Sequence, residues 1–457
     1  MMDARGRLRS GWFRARDEGA GLGAWWSLGV LVAISLFAFV DRQMLSLVAA
    51  PLAVDLELSN TQLGELQGLG LTLFATFFTY PLGWLSDRFD RRIVLGVCLV
   101  VWAAGTAACG FAVGFVPLFL ATVAIAGGEA GLAPLILSMI PDLFAGRRRT
   151  TANIVYYVSS GLGMSLGYTL GGILIAALAP LRDYLPATLA PLESWRLAFV
   201  MVAAPAPLFL LLLATTRSGR RARTLAAART PAGSALIPYV REHRGTLALV
   251  FGFTGIFMFA FGSIFGWTPF ALTRIWGLSP AQDGVAMGVV TAVTTIAGTL
   301  AAWLLMHRFG SRWGPAAPLR LGFYAMVIAG PTLVLAPFAQ SPWQLLTLVG
   351  CQVTAGTLVG SLLPNVLQDV APAALRGRVF AIYAVLIAPT SGLSIMAVGG
   401  LSDLLHAGPR AVLYATAVLG VPAWIIGATL VHFAQRPFVL TVEKVRAEEK
   451  RYDARLA

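Results

Sequence analysis

The chain has 457 residues, of which 57% are hydrophobic and 12% charged, and a formal net charge of +13. A soluble domain carries about 25% charged residues. This composition, with a mean hydropathy of +0.76, excludes an ordinary soluble protein and points to an integral membrane protein. The positive balance does not call for nucleic acid, because the basic residues fall in short segments between apolar runs, which is the positive-inside pattern.

The first 23 residues form a basic arm. The apolar run after it exceeds a signal-peptide core of about 7–15 residues, so the arm reads as cytoplasmic rather than cleaved. Runs long enough to span a bilayer follow at 24–52, 61–85, 93–114, 116–140, 151–180, 194–216, 245–272, 283–306, 319–340, 343–368, 376–405 and 410–434. Twelve transmembrane helices are expected in an all-α membrane fold. They divide into a six-helix bundle over 24–216, a cytoplasmic linker over 217–244, a second six-helix bundle over 245–434 and a cytoplasmic tail over 435–457. The linker, rich in Arg, Ala, Thr and Gly, is expected to lie on the anionic inner leaflet. Arginines cluster in alternate loops (Arg88, Arg91, Arg92; Arg147, Arg148, Arg149; Arg308, Arg312; Arg376, Arg378), which places both termini in the cytoplasm. Cys98, Cys109 and Cys351 all lie in apolar runs and suggest inert thiols.

Three charges interrupt the first half. Asp41 and Arg42 stand within the first apolar run, and Glu129 within Gly127-Gly128-Glu129-Ala130-Gly131. Each costs about 2.5–3.5 kcal/mol near a helix centre, so each is expected to face a polar cavity or a partner. Burial favours the neutral form of Glu129 and a nearby arginine the ionised form. That competition makes Glu129 a candidate proton carrier, with packing against Arg42 as the plainer alternative. Arg42 keeps its charge and can clamp an anionic group. Asp41 can titrate or receive a cationic amine. The second half shows no ionisable group at comparable depth, but offers Thr254, Ser263, Trp267, Tyr383 and Asn365. One charged wall facing an apolar one suits an amphipathic substrate.

The halves echo each other. Gly83-Trp84-Leu85-Ser86-Asp87-Arg88-Phe89-Asp90-Arg91-Arg92 follows the second helix, and His307-Arg308-Phe309-Gly310-Ser311-Arg312 the eighth. Pro141-Asp142 with Arg147 to Arg149 follows the fourth, and Asp369 with Arg376-Gly377-Arg378 the tenth. Repeated halves point to a transporter with its site between them. The first loop resembles the Gly-x-Leu-x-Asp-Arg-x-Gly-Arg-Arg signature of the major facilitator superfamily, with Asp90 where glycine is usual. That resemblance implies a latch closing the cytoplasmic side, formed by Asp87, Arg88, Arg91 and Arg92, with Asp142, Arg148, Asp369 and Arg376 as further gating residues.

Val40-Asp41-Arg42, Gly128-Glu129-Ala130, Trp267-Thr268-Pro269 and Leu367-Gln368-Asp369-Val370 resemble the spinster-type branch, which includes transporters of sphingosine-1-phosphate and lysophospholipids. The resemblance implies a lipid whose head lies near Arg42 and proton coupling through Asp41 and Glu129. Many relatives carry an arginine where this chain has Thr122, which joins the substrate-facing set. The expectation is a monomeric, proton-coupled lipid transporter of a bacterial inner membrane, with no cofactor besides protons. A small organic anion or drug is the alternative cargo, and a lipid receptor or scramblase-like protein the alternative class. An enzyme is not expected, because no nucleophile or metal cluster accompanies the carboxylates.

Overall fold

The computed structural model describes residues 21–144, 146–181, 192–216, 233–372 and 375–456, all helices and short connections. The first half comprises α1 (Leu22–Leu47), α2 (Asn60–Ser86), α3 (Arg91–Phe111), α4 (Phe115–Leu143), α5 (Gly146–Leu181) and α6 (Ser194–Thr215). The second comprises α7 (Arg244–Trp276), α8 (Pro280–Trp313), α9 (Ala317–Leu335), α10 (Pro342–Asp369), α11 (Arg376–Leu405) and α12 (Ala411–Leu456). Helices α8 and α9 join into one apolar run, Pro280–Phe338, but separate at Gly314, whose φ of 57° is a glycine conformation. They pack against each other, so they are two passes. Counting α5 as one span, bent by 46° between Thr151–Ser160 and Leu162–Leu178, the expected twelve spans are present.

Local chemistry explains several starts. Ser59 and Gln62 form a reciprocal capping box on α2, and Ser279 and Gln282 form the same box on α8, so the second helix of each half begins with one device. Asp90, the departure from the superfamily signature, caps α3 by accepting from the Arg92 amide at 2.8 Å. Within α2, Glu65–Leu73 is π-helical, the kind of local distortion that recurs at functional sites.

The halves meet on the face away from the termini. Ser46 Oγ donates to the Phe265 carbonyl at 2.9 Å, as does the Tyr168 hydroxyl at 2.7 Å. Ser165 Oγ donates to the Gly288 carbonyl at 2.7 Å, and Asp403 on α11 accepts from the start of α2. A Cβ on Gly284 would stand 2.6 Å from Gly172 Cα, so α5 and α8 touch backbone to backbone. One hydrophobic core joins the first half to the distal ends of the second, through Trp267, Met287 and Ile395. A separate core fills the terminus-side part of the second half alone. The molecule is therefore closed distally and divided on the terminus side.

The expected linker and tail contribute to that second core. The described end of the linker forms a helix, Gly233–Glu242, whose Tyr239 hydroxyl donates to the Val370 carbonyl. Residues 217–232 lie outside the described set. Helix α12 runs past residue 434 to Leu456 and buries Phe438, Val442 and Val445. Lys444 pairs with Glu242, and its hydrogen bond holds the Glu242 carboxyl below the usual carboxylate range.

Candidate functional site

Asp41 and Arg42 point different ways, as neighbours about 100° apart on a helix can. The Asp41 side chain is buried against α3, where Trp102 Nε1 donates to its Oδ2 and Thr106 Oγ1 does so at 2.8 Å. Its Oδ1 is also buried and has no hydrogen-bond partner. Asp41 is thus held within the first half by two donors.

Arg42 opens into a cavity of about 270 Å³. Ser35, Ala38 and Phe39 of α1 line it, with Glu129, Leu132, Ala133 and Leu137 of α4 and Tyr156 and Ser160 of α5. Glu129 ends the first segment of α4, where Ala130 and Gly131 interrupt the helix. The preceding Gly128 lets α3 approach: a Cβ there would lie 2.5 Å from the Cys98 carbonyl oxygen. Ser160 stands at the bend of α5. Next to it Gly163 and Gly167 pack on Phe39, so these glycines serve helix contact.

Among the described residues no ion pair joins Arg42 to Glu129. Glu129 Oε1 and Ser160 Oγ are buried without a hydrogen-bond partner. A guanidinium, a carboxylate and an orphaned hydroxyl sharing one small cavity can receive a polar head: Arg42 and Ser160 donate to it, and Glu129 accepts from it. Ser35, Tyr156 and Ser160 were missed in the sequence. Serine and tyrosine are common in membrane helices, and only the fold brings α5 beside Arg42.

The remaining candidates are dispersed. Thr122 is fully buried, donates to the Phe119 carbonyl at 2.8 Å and packs on Gly70; it does not line the Arg42 cavity. Thr254 donates to the Val250 carbonyl at 2.8 Å, and Ser263 is buried. Trp267 links α7 to α11 through Nε1 and the Ile395 carbonyl at 3.1 Å. Tyr383 lies half-buried with its ring centroid 6.0 Å from that of Phe251. Asn365 lines a different cavity, on the terminus side, with Asp369 and Arg446. The second half does bury a carboxylate, at a helix end rather than at the depth of Asp41 and Glu129: Asp283, in the first turn of α8, is fully buried and accepts from Thr273 Oγ1 at 2.6 Å. It begins an apolar run, so in the sequence it resembles a loop charge.

The gating residues whose partners are described pair within their own halves. Arg91 Nη1 meets Asp142 Oδ2 and the Ser138 carbonyl, each at 2.6 Å. Arg92 donates to the Thr216 carbonyl at the end of α6. Arg88 lies over the Trp84 ring at 3.9 Å. Asp369 pairs with Arg446 of α12 at 3.4 Å, a partner too distant in sequence to anticipate. Arg148 is exposed. The side chains of Asp87 and Arg376 lie outside the described set.

Residues 31–395 match the family described as Major Facilitator Superfamily. An MFS-type efflux pump of Mycolicibacterium smegmatis is 26% identical over 299 residues, 63% of this chain and 64% of that protein. Protein spinster homolog 3 of Danio rerio is 27% identical over 310 residues, 64% of this chain and 59% of that protein. The chain thus spans about three-fifths of the length of these curated relatives. The Danio rerio sphingosine-1-phosphate transporter SPNS2 is 28% identical over 148 residues, 32% of this chain and 29% of that protein. Among solved structures, a bacterial homolog of the human lysosomal transporter spinster, inward-facing and unoccupied, superposes with a TM-score of 0.75 at 22% identity, covering 94% of this chain and 99% of that one. At that identity the likeness concerns the fold.

Proposed function

Because the chain belongs to the major facilitator superfamily and resembles its spinster-type branch, we propose that it is a proton-coupled secondary transporter of an amphipathic lipid with a charged head, of the sphingosine-1-phosphate or lysophospholipid kind. The observation carrying this reading is the cavity that holds Arg42, Glu129 and Ser160 with two buried polar atoms unpartnered. Ligand pockets commonly measure about 300–1,000 Å³. At about 270 Å³ this one suits a head group, with the acyl chain running past Phe39, Leu132 and Leu137. A relative whose name states sphingosine-1-phosphate transport supports that class of cargo.

In this mechanism the conformation is inward-facing, with the terminus side cytoplasmic in an inner membrane, as the arginine loops suggest. An anionic head takes Arg42 bidentately. Glu129 then loses the nearby cation that favours its ionised form and binds a proton. Release of the head leaves the Arg42 charge free to act on Glu129 across the cavity again and frees that proton, which links substrate occupancy to protonation in each turnover. Asp41, held on α3, is the second coupling carboxylate; its charge change alters the α1–α3 contact. The test is flux of labelled lysolipid or sphingosine-1-phosphate in proteoliposomes with and without a pH gradient. Gradient-dependent flux is expected. Equal flux in both conditions rejects coupling, and flux no greater than in empty vesicles rejects the lipid class. A small organic anion is the second reading, favoured by the small volume of the cavity; competition of polar anions with lipid decides between them.

A further inference from the structure

The distal closure of α2 on α11 contains a charge that the substrate site does not use. Asp403 lies two residues before the last residue of α11, in the second half, and its carboxylate reaches across to the first half. Oδ1 accepts from the Asn60 amide at 3.2 Å. Oδ2 accepts from the Thr61 amide at 2.8 Å and from Thr61 Oγ1 at 2.6 Å. Asn60 and Thr61 open α2, whose continuous span runs Asn60–Ser86. Amides in the first turn of a helix have no partner within it and carry its positive end. The local cap, Ser59, satisfies the Gln62 amide, leaving those of Asn60 and Thr61 to Asp403. A carboxylate accepting three hydrogen bonds from a helix start is a strong, directional contact. It is also specific to one arrangement of the halves, because Asp403 and its donors belong to different bundles.

Packing below this contact brings it into register. A Cβ on Gly68 would lie 2.3 Å from the Gly392 carbonyl oxygen, and one on Gly399 would lie 2.4 Å from the Asn60 carbonyl oxygen. The two helices therefore touch backbone to backbone for two turns before Asp403 meets the start of α2. The π-helical stretch Glu65–Leu73 lies in this same contact.

We propose that Asp403, with Thr61, is the distal gate of the transport cycle: a carboxylate latch that holds the halves closed away from the termini and must release for the opposite face to open. The latch opens when the halves rock apart at α2 and α11, and its three hydrogen bonds are then replaced by water. It requires the superfamily fold but not lipid cargo or proton coupling, so it can be tested without substrate.

The experiment is double electron–electron resonance on the full chain in lipid nanodiscs. One spin-label pair sits on the distal face (Val54→Cys with Leu404→Cys) and another on the terminus side (Phe89→Cys with Arg308→Cys), in a background with the native cysteines replaced by serine. Asp403→Ala is expected to lower the ratio of distally closed to distally open molecules about tenfold or more, while the terminus-side pair moves closer. Thr61→Val, which keeps the amide bonds, is expected to give a smaller shift in the same direction. Broadening at both faces would mean lost packing rather than a changed equilibrium, and would overturn the proposal. Unchanged distal distances in a folded Asp403→Ala protein would also overturn it.

Discussion

The two halves begin their second helices with the same capping box but place buried charge differently. The first half keeps Asp41 and Glu129 in its interior, one bound by α3 and the other beside an open guanidinium. The second half keeps its carboxylates near its ends. Asp283 and Asp403 lie on the distal side, and Asp369 and Glu242 pair with Arg446 and Lys444 on the terminus side. On the proposed reading the pseudo-symmetric scaffold divides labour: one bundle presents charge to a ligand, while the other bears contacts that distinguish conformations.

Breaking the closure between halves is expected to have the largest effect. In Gly284→Val the new side chain would meet Gly172 and the Tyr168 carbonyl at the α5–α8 crossing. Overpacking costs about 1–3 kcal/mol, all of it on the distally closed state. Transport is expected to fall about tenfold or more, with the distal spin-label distance lengthened. Normal transport would show that this contact is not formed in the cycle.

The first-half charges test the comparison itself. In Glu129→Gln, gradient-driven flux is expected to fall about tenfold, within the usual range of coupling energies, while ligand exchange without a gradient persists. A matching loss of both would make Glu129 a packing residue. Asp41→Ala would leave Trp102 Nε1 and Thr106 Oγ1 without their acceptor. Unmet buried donors cost about 1–3 kcal/mol each, so a drop in thermal midpoint of several degrees is expected, measured in detergent.

Second-half changes away from the closure between halves should be milder. Trp267→Phe removes the bond to the Ile395 carbonyl, a loss of about 1 kcal/mol, visible as a small decrease in thermal midpoint with the pH dependence of transport unchanged. Lys444→Ala breaks an exposed pair with Glu242 and is expected to change neither flux nor midpoint measurably. A pH-dependent transport defect in either variant would blur the division between the halves.

Spans and their pairing into halves were legible because membrane helices must be long and apolar, and the repeated loop motifs survive in matching places. Arg42 and Glu129 were legible as charges that lipid would not tolerate. A cavity around them was also legible, but its α5 wall was not, since that depends on the bend of α5 that brings in Ser160. The direction of Asp41 depends on Trp102 and Thr106, some sixty residues away. Asp283 and Asp403 stand at the ends of apolar runs, where a charge usually faces water. The extension of α12 leaves a trace in the sequence: Phe438, Val442 and Val445 repeat at helical spacing, but polar neighbours hide it from a hydropathy reading.

The central claim is that substrate and Glu129 compete for Arg42. Calorimetric titration of sphingosine-1-phosphate into the purified protein, repeated in buffers of different ionisation enthalpy, measures protons exchanged on binding. The account predicts net proton uptake by the wild-type chain that disappears in Glu129→Gln while binding remains. Binding with no uptake in the wild type, or equal uptake in both proteins, would contradict it.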